Sequence, residues 1–194
     1  SVRDLLGIDF DAGRDIPADG SGGEGFDNNG DALFTSPILI EKYLDAAERV
    51  LLGMLPDRGL PKSPALTVAS KSRDGVRTLL GALLPRAFRR PVETPEIDRF
   101  TALFDRAQKR GDAFEASLRL ALKGMLVSPH FLYLVEPEPP KEGVYQLGSW
   151  QLAQRLSFFL WSSIPDEELQ RLAAGNRLQD PGVLREQVRR MLRD

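Results

Sequence analysis

From Thr35 to the end of the chain, apolar residues recur three and four positions apart between recognisable helix start and stop signals. No stretch alternates with the period of two that a half-buried strand requires. Such a chain has one way to hide its apolar side chains, which is to pack helix against helix. Pro37 after Ser36 reads as a capped helix start, followed on one face by Leu39, Tyr43, Ala47, Val50, Leu51 and Met54. A second helix is expected over about 74–88, with Val76, Leu79, Leu80, Leu83 and Leu84 inward and Pro85 kinking or ending it. Thr94-Pro95-Glu96 opens a third, which stops at Gly111. Asp112 is expected to cap a fourth, carrying Leu118, Ala121, Leu122 and Met125, which Pro129 bends or ends. Ser149, Asp166 and Asp180-Pro181 open three more. The fold class read from these signals is all-α: an irregular multi-helix bundle of six to eight helices, preceded by a Gly/Asp-rich irregular N-terminal segment.

That segment differs sharply from the rest. Residues 1–31 hold eight acids against Arg3 and Arg14, a balance of −6, which leaves +4 for the remainder of a chain of net charge −2. Seven glycines in the same stretch keep helix or strand from propagating. The chain divides into an acidic loop with the first helix (1–56), a proline-containing linker (57–72), a helical domain (73–136) and the start of a further helical domain (137–194) that reads as truncated. The first and last residues lie inside helical patterns, so the chain reads as a piece of something larger.

Bulk composition excludes several functions. With 42% hydrophobic and 28% charged residues the chain sits in the ordinary globular range. A net charge of −2 gives no overall attraction to nucleic acid or to an anionic membrane. The absence of cysteine removes disulfides, thiolate nucleophiles, iron–sulfur clusters and covalent c-type haem from this stretch. No apolar run approaches the roughly 20 residues of a membrane span, so no membrane insertion is expected.

Chemistry-bearing residues are few. Asp27, Asn29 and Asp31 place oxygen side chains at alternate positions, as calcium loops do. An EF-hand would need glycine and glutamate where Ala32 and Ile38 stand, so any calcium site here is of another kind; turn chemistry explains the same residues. Gly20, Gly22 and Gly25 match the spacing of a dinucleotide loop, but no strand precedes them and Asp19, Glu24 and Asp27 would repel phosphate. His130, the one histidine, is expected to satisfy helix-end carbonyl groups and pack its ring rather than act as a base or haem ligand. Two basic clusters, Arg86, Arg89 and Arg90, and Arg185, Arg189, Arg190 and Arg193, are expected to pair with acids of neighbouring helices, with no nucleic acid bound. Trp150 and Trp161, eleven residues apart, suit core packing, a sugar platform being the alternative.

Long motifs resemble known domains. Arg3-Asp4-Leu5-Leu6-Gly7 with Gly25-Phe26-Asp27-Asn28, Ser36-Pro37 and Glu41-Lys42-Tyr43-Leu44 is similar to one domain of unknown function. Leu84-Pro85-Arg86-Ala87-Phe88-Arg89-Arg90-Pro91, with Met125 through Tyr133, resembles a second. Phe159-Leu160-Trp161-Ser162-Ser163 through Asp166, ending in Val188-Arg189-Arg190-Met191-Leu192, resembles the start of a third. These domains occur together in large planctomycete proteins, often secreted and often carrying a c-type cytochrome domain. The resemblance implies an extracytoplasmic setting, partners among other domains of the parent protein, and c-type haem only on a separate domain. It carries no catalytic residues. The expected function is a non-catalytic structural or interaction module of such a protein. The alternatives are an extracytoplasmic enzyme domain acting on polysaccharide through Asp19, Asp27, Asp31 and Glu41, and a calcium-stiffened docking segment.

Overall fold

A computed structural model of the chain describes residues 2–7, 37–57, 61–68, 70–134 and 143–193. Among the described residues there are nine α-helices, two 3-10 turns and no strand. In chain order the helices are α1 (Val2–Leu6), α2 (Pro37–Met54), α3 (Arg73–Phe88), α4 (Thr94–Arg110), α5 (Phe114–Leu126), α6 (Pro129–Leu132), α7 (Ser149–Trp161), α8 (Glu167–Ala174) and α9 (Pro181–Met191). The all-α class expected from periodicity is the class observed.

Capping chemistry sets most of the boundaries. The Ser72 hydroxyl accepts from the Gly75 N–H at 3.1 Å and starts α3. The Glu96 carboxylate reaches back to the Glu93 N–H at 3.3 Å and starts α4, which stops where Gly111 turns left-handed at φ 93°. Asp166 accepts from the Leu169 N–H at 2.9 Å to open α8, and Asp180 accepts from Gly182 and Val183 to open α9.

Two local expectations are corrected. Helix α3 keeps the expected span to Phe88, with Pro85 inside it rather than at its end. The turn beyond Pro85 buries Ala87 and Phe88, which offsets the roughly 3 kcal/mol that an interior proline costs. Asp112 does not cap α5; its carboxylate takes Arg110, and Ala113 stands at the cap position without a side-chain bond. Pro129 neither bends nor ends α5, which stops at Leu126; it is the first residue of α6, where its missing N–H is harmless.

The buried residues form two clusters. The larger joins Leu5 and Leu6 of α1, Val50, Leu51 and Met54 of α2, Leu80 and Leu84 of α3, Phe104 of α4 and Leu118, Leu122 and Met125 of α5. Part of the stretch before α3 belongs to it: Leu66 is fully buried in a 3-10 turn, and the Ser63 hydroxyl donates to the Leu6 carbonyl at 2.5 Å. The smaller cluster packs Ala153 of α7 against Leu169, Leu172 and Ala173 of α8, Leu178 and Met191. Ile164, from the α7–α8 connection, is buried in the larger cluster, with Phe158 of α7 packed against it.

One glycine marks a close approach. A Cβ on Gly75 would lie 2.1 Å from the backbone oxygen of Ser70 and 2.9 Å from its hydroxyl. Glycine to alanine inside a helix ordinarily gains up to about 1 kcal/mol. Here the change displaces backbone, so Gly75→Ala is expected to lose about 1–3 kcal/mol in urea denaturation; a gain would show that residues 70–72 yield freely.

Candidate functional site

The acidic-loop candidates Asp19, Asp27, Asn29 and Asp31, with Gly20, Gly22 and Gly25, lie outside the described residues. Glu41 is exposed on α2. Among the described residues, no three His, Asp or Glu side chains group so as to hold a metal ion. The two tryptophans pack against the smaller core, and the Trp161 indole N–H donates to the Met191 carbonyl at 3.0 Å. The guanidinium of Arg190 lies over the Trp161 ring, 5.4 Å from its centre, so this face of the ring already has an occupant.

The basic clusters resolve residue by residue. Arg90 forms a forked pair with Glu96 at 2.7 and 2.9 Å, and Arg190 a forked pair with Asp166 at 2.7 and 3.2 Å. Arg86 donates to the Asp4 carbonyl at 3.2 Å. The Arg90 and Arg190 pairs are the acid pairings that the sequence leads one to expect, whereas Arg86 meets a backbone carbonyl. Arg185 and Arg189 are exposed along α9, and Arg193 is exposed just beyond its end.

Arg89 behaves differently and was not separable from its neighbours in the sequence. It is 2% exposed, sits just past α3 in left-handed backbone at φ 57°, and has no carboxylate partner among the described residues. Its two terminal nitrogens donate to four backbone carbonyls: Ala87 at 3.2 Å, Phe131 at 3.1 Å, His130 at 2.7 Å and Tyr133 at 2.7 Å. Three of these belong to the last turn of α6 and its C-cap, whose carbonyls have no helical partner and carry the negative end of the helix dipole. The guanidinium is thus compensated by oriented peptide groups. Burial still pulls its pKa below the ordinary arginine value. Phe158 of α7 lies 5.6 Å from the guanidinium, and the Gln154 amide of α7 donates to the Arg89 carbonyl at 3.1 Å. One residue therefore ties together α3, α6 and α7. Its one distinguishing signal is its place directly after Phe88, the last buried residue of α3.

His130 lies beside this junction. Its backbone N–H bonds to Ser128 at the start of α6, its carbonyl accepts from Arg89, and its ring is 5.4 Å from that of Phe88. The expected ring packing is observed, but at the beginning of a short helix rather than at the end of α5. Burial, then the nearby charge of Arg90, lowers its pKa below 6.5, with Glu96 acting the other way and Arg89 and Arg99 adding to the depression. A histidine held neutral in the fold contributes stability that is present above the unfolded value and fades as pH falls toward the folded one. The melting temperature should therefore decline between about pH 8 and pH 5 more steeply in the native chain than in His130→Gln. Equal slopes would mean that the ring titrates as in the unfolded chain.

A crevice of about 450 Å³ opens where α1, α3 and the α7–α8 connection meet. Arg3, Asp4, Arg86, Asp166, Glu167 and Gln170 contribute its polar lining. Ser163 donates to the Asp4 carboxylate at 2.5 Å, and this bond leads the causes that hold the Asp4 pKa below 3.8. Asp166 both caps α8 and pairs with Arg190. Two acids of the crevice are thus engaged in holding segments together, and the Asp4 shift runs away from the range a general acid needs.

Comparison with known proteins covers most of the chain. Residues 1–55 match PSD3, described as a protein of unknown function (DUF1587). Residues 75–136 match PSD5, a protein of unknown function (DUF1595), and residues 147–194 match PSD4, a protein of unknown function (DUF1592). No curated protein and no solved structure matches. The first two matched segments share the larger core, and the third adds Phe158 and Ile164 to it. Most of the chain therefore corresponds to three domains of unknown function, arranged in the order PSD3, PSD5, PSD4.

Proposed function

We propose that the chain is a structural interaction module, a firm helical base that holds neighbouring domains of a larger extracytoplasmic, cytochrome-linked protein of the planctomycete type. The observation that supports this most is the Arg89 junction, where one buried guanidinium joins helices from two differently matched segments. Other buried or half-buried polar groups do similar work. Arg119 donates to the Leu55 carbonyl at 2.7 Å and pairs with Asp57, and Ser163 meets Asp4 across most of the chain length. Side chains committed to such contacts favour fixed geometry over turnover. The extracytoplasmic setting and the haem-bearing neighbour rest on the resemblance of the motifs. No helix among the described residues is long and apolar enough to cross a membrane.

The cysteine-free sequence makes the test clean. Spin labels on cysteines introduced at exposed Lys109 of α4 and Glu186 of α9 should give one narrow distance distribution. Incubation with a panel of soluble polysaccharides should release no reducing sugar above buffer. Hydrolysis that is lost in Asp4→Asn would overturn the module in favour of an enzyme, and a broad distance distribution would deny it a fixed geometry.

A further inference from the structure

An apolar trough of about 530 Å³ runs between α7 and α9. On one side stand Leu152, Leu156 and Phe159, spaced as i, i+4 and i+7 along α7; on the other stand Leu184 and Val188, spaced as i and i+4 along α9, with Leu134 nearby. Phe159 is 85% exposed, and Leu192, one helical step beyond Val188, is 69% exposed. Two neighbouring helices that each present an unfilled apolar ridge form the groove into which a third helix packs. Among the described residues, the charges identified beside the groove are positive. Arg155 is the one charged residue among the described residues lining it, and Arg185 and Arg189 flank the α9 ridge at i, i+4 spacing, both exposed.

We propose that this trough binds an amphipathic α-helix supplied by another polypeptide, its apolar seam filling the groove and an acidic flank meeting Arg185 and Arg189. The inference rests on the reading of the chain as an interaction module and names the class of partner. A second copy of this chain fits less well, because a two-fold contact through the same patch sets the arginine flank against itself. A lipid surface fits less well too, since it favours a convex patch over a trough between ridges.

The test uses the full chain and two synthetic helical peptides with leucines at i, i+3, i+4 and i+7. One carries glutamates along its flank and the other carries lysines. Fluorescence anisotropy at low ionic strength should show the glutamate peptide binding at least about tenfold more tightly, a preference that shrinks with added salt. Phe159→Asp should weaken binding by about tenfold or more, and the double variant Arg185→Glu/Arg189→Glu should reverse the preference between the peptides. All three positions are exposed or at the groove surface, so circular dichroism and melting should stay unchanged and report any misfolding. Equal affinity for both peptides, or no binding at millimolar peptide, would overturn the proposal. So would uptake by anionic phosphatidylglycerol vesicles without peptide binding, or a dimer that Phe159→Asp dissolves. Any of these outcomes leaves the spin-label distance and the polysaccharide assay untouched, so loss of the groove is distinguishable from loss of the module.

Discussion

Replacing Arg89 by alanine is expected to destabilise the chain by about 3–5 kcal/mol, close to the whole stability of a marginal domain. The side chain serves four carbonyls at once, and removing it leaves those of His130, Phe131 and Tyr133 without the donor that neutralises the end of α6. It also removes the cation facing Phe158 and opens a void between α3 and α7. Lysine should recover little, because one ammonium lacks the planar fork that reaches carbonyls on both sides. Glycine separates backbone from side chain. At φ 57° a residue with a Cβ is strained by roughly 1 kcal/mol, so Arg89→Gly should be about that much more stable than Arg89→Ala while remaining far below the native chain. Urea denaturation of the four proteins gives the order native, Gly, Ala, with Lys near Ala. A Lys variant as stable as the native chain would reduce the junction to a single point charge.

Leu122→Ala should cost about 3–5 kcal/mol by a different mechanism. Leu122 is fully buried on α5, the helix that packs against α2, α3, α4 and α6. With neighbours on so many sides the site cannot collapse around the missing atoms, and the cost lies in the upper part of the range for buried leucines. Leu122→Met keeps volume and flexibility and should lose less than about 1.5 kcal/mol. Thermal or urea unfolding of the pair measures both. Similar losses in Ala and Met would indicate that shape, not volume, governs the packing of α5.

How much of this was legible in the sequence depends on the range of the interaction. Helix starts at Thr94, Asp166 and Asp180 are local events, decided by side chains and N–H groups within two or three residues, and they are legible in the sequence. Asp112 misled because a second local partner competes for it: Arg110, two residues before it, takes the carboxylate that would otherwise cap α5. In the sequence Arg89 forms one basic cluster with Arg86 and Arg90, yet the three take different partners. Nothing in the spacing shows that the middle one turns inward to meet carbonyls forty residues away. Similarly, the apolar faces of α7 and α9 read as ordinary core stripes, and only their placement leaves an open trough between them. The expected ligands Asp27, Asn29 and Asp31 lie outside the described residues, and no geometry bears on them.

The central claim is that the three matched segments form one fastened body. Both tryptophans of the chain lie on α7, in the smaller cluster. Tryptophan fluorescence therefore follows the third segment, whereas far-ultraviolet circular dichroism follows helices throughout. The most direct measurement is urea unfolding of the native chain read simultaneously by both signals. Fastening through Arg89, Phe158 and Ile164 predicts coincident transitions with one midpoint, which separate once Arg89 is replaced by alanine. A native chain whose fluorescence transition comes clearly before the loss of helix would contradict it, because the third segment would then be an independent domain resting on the other two.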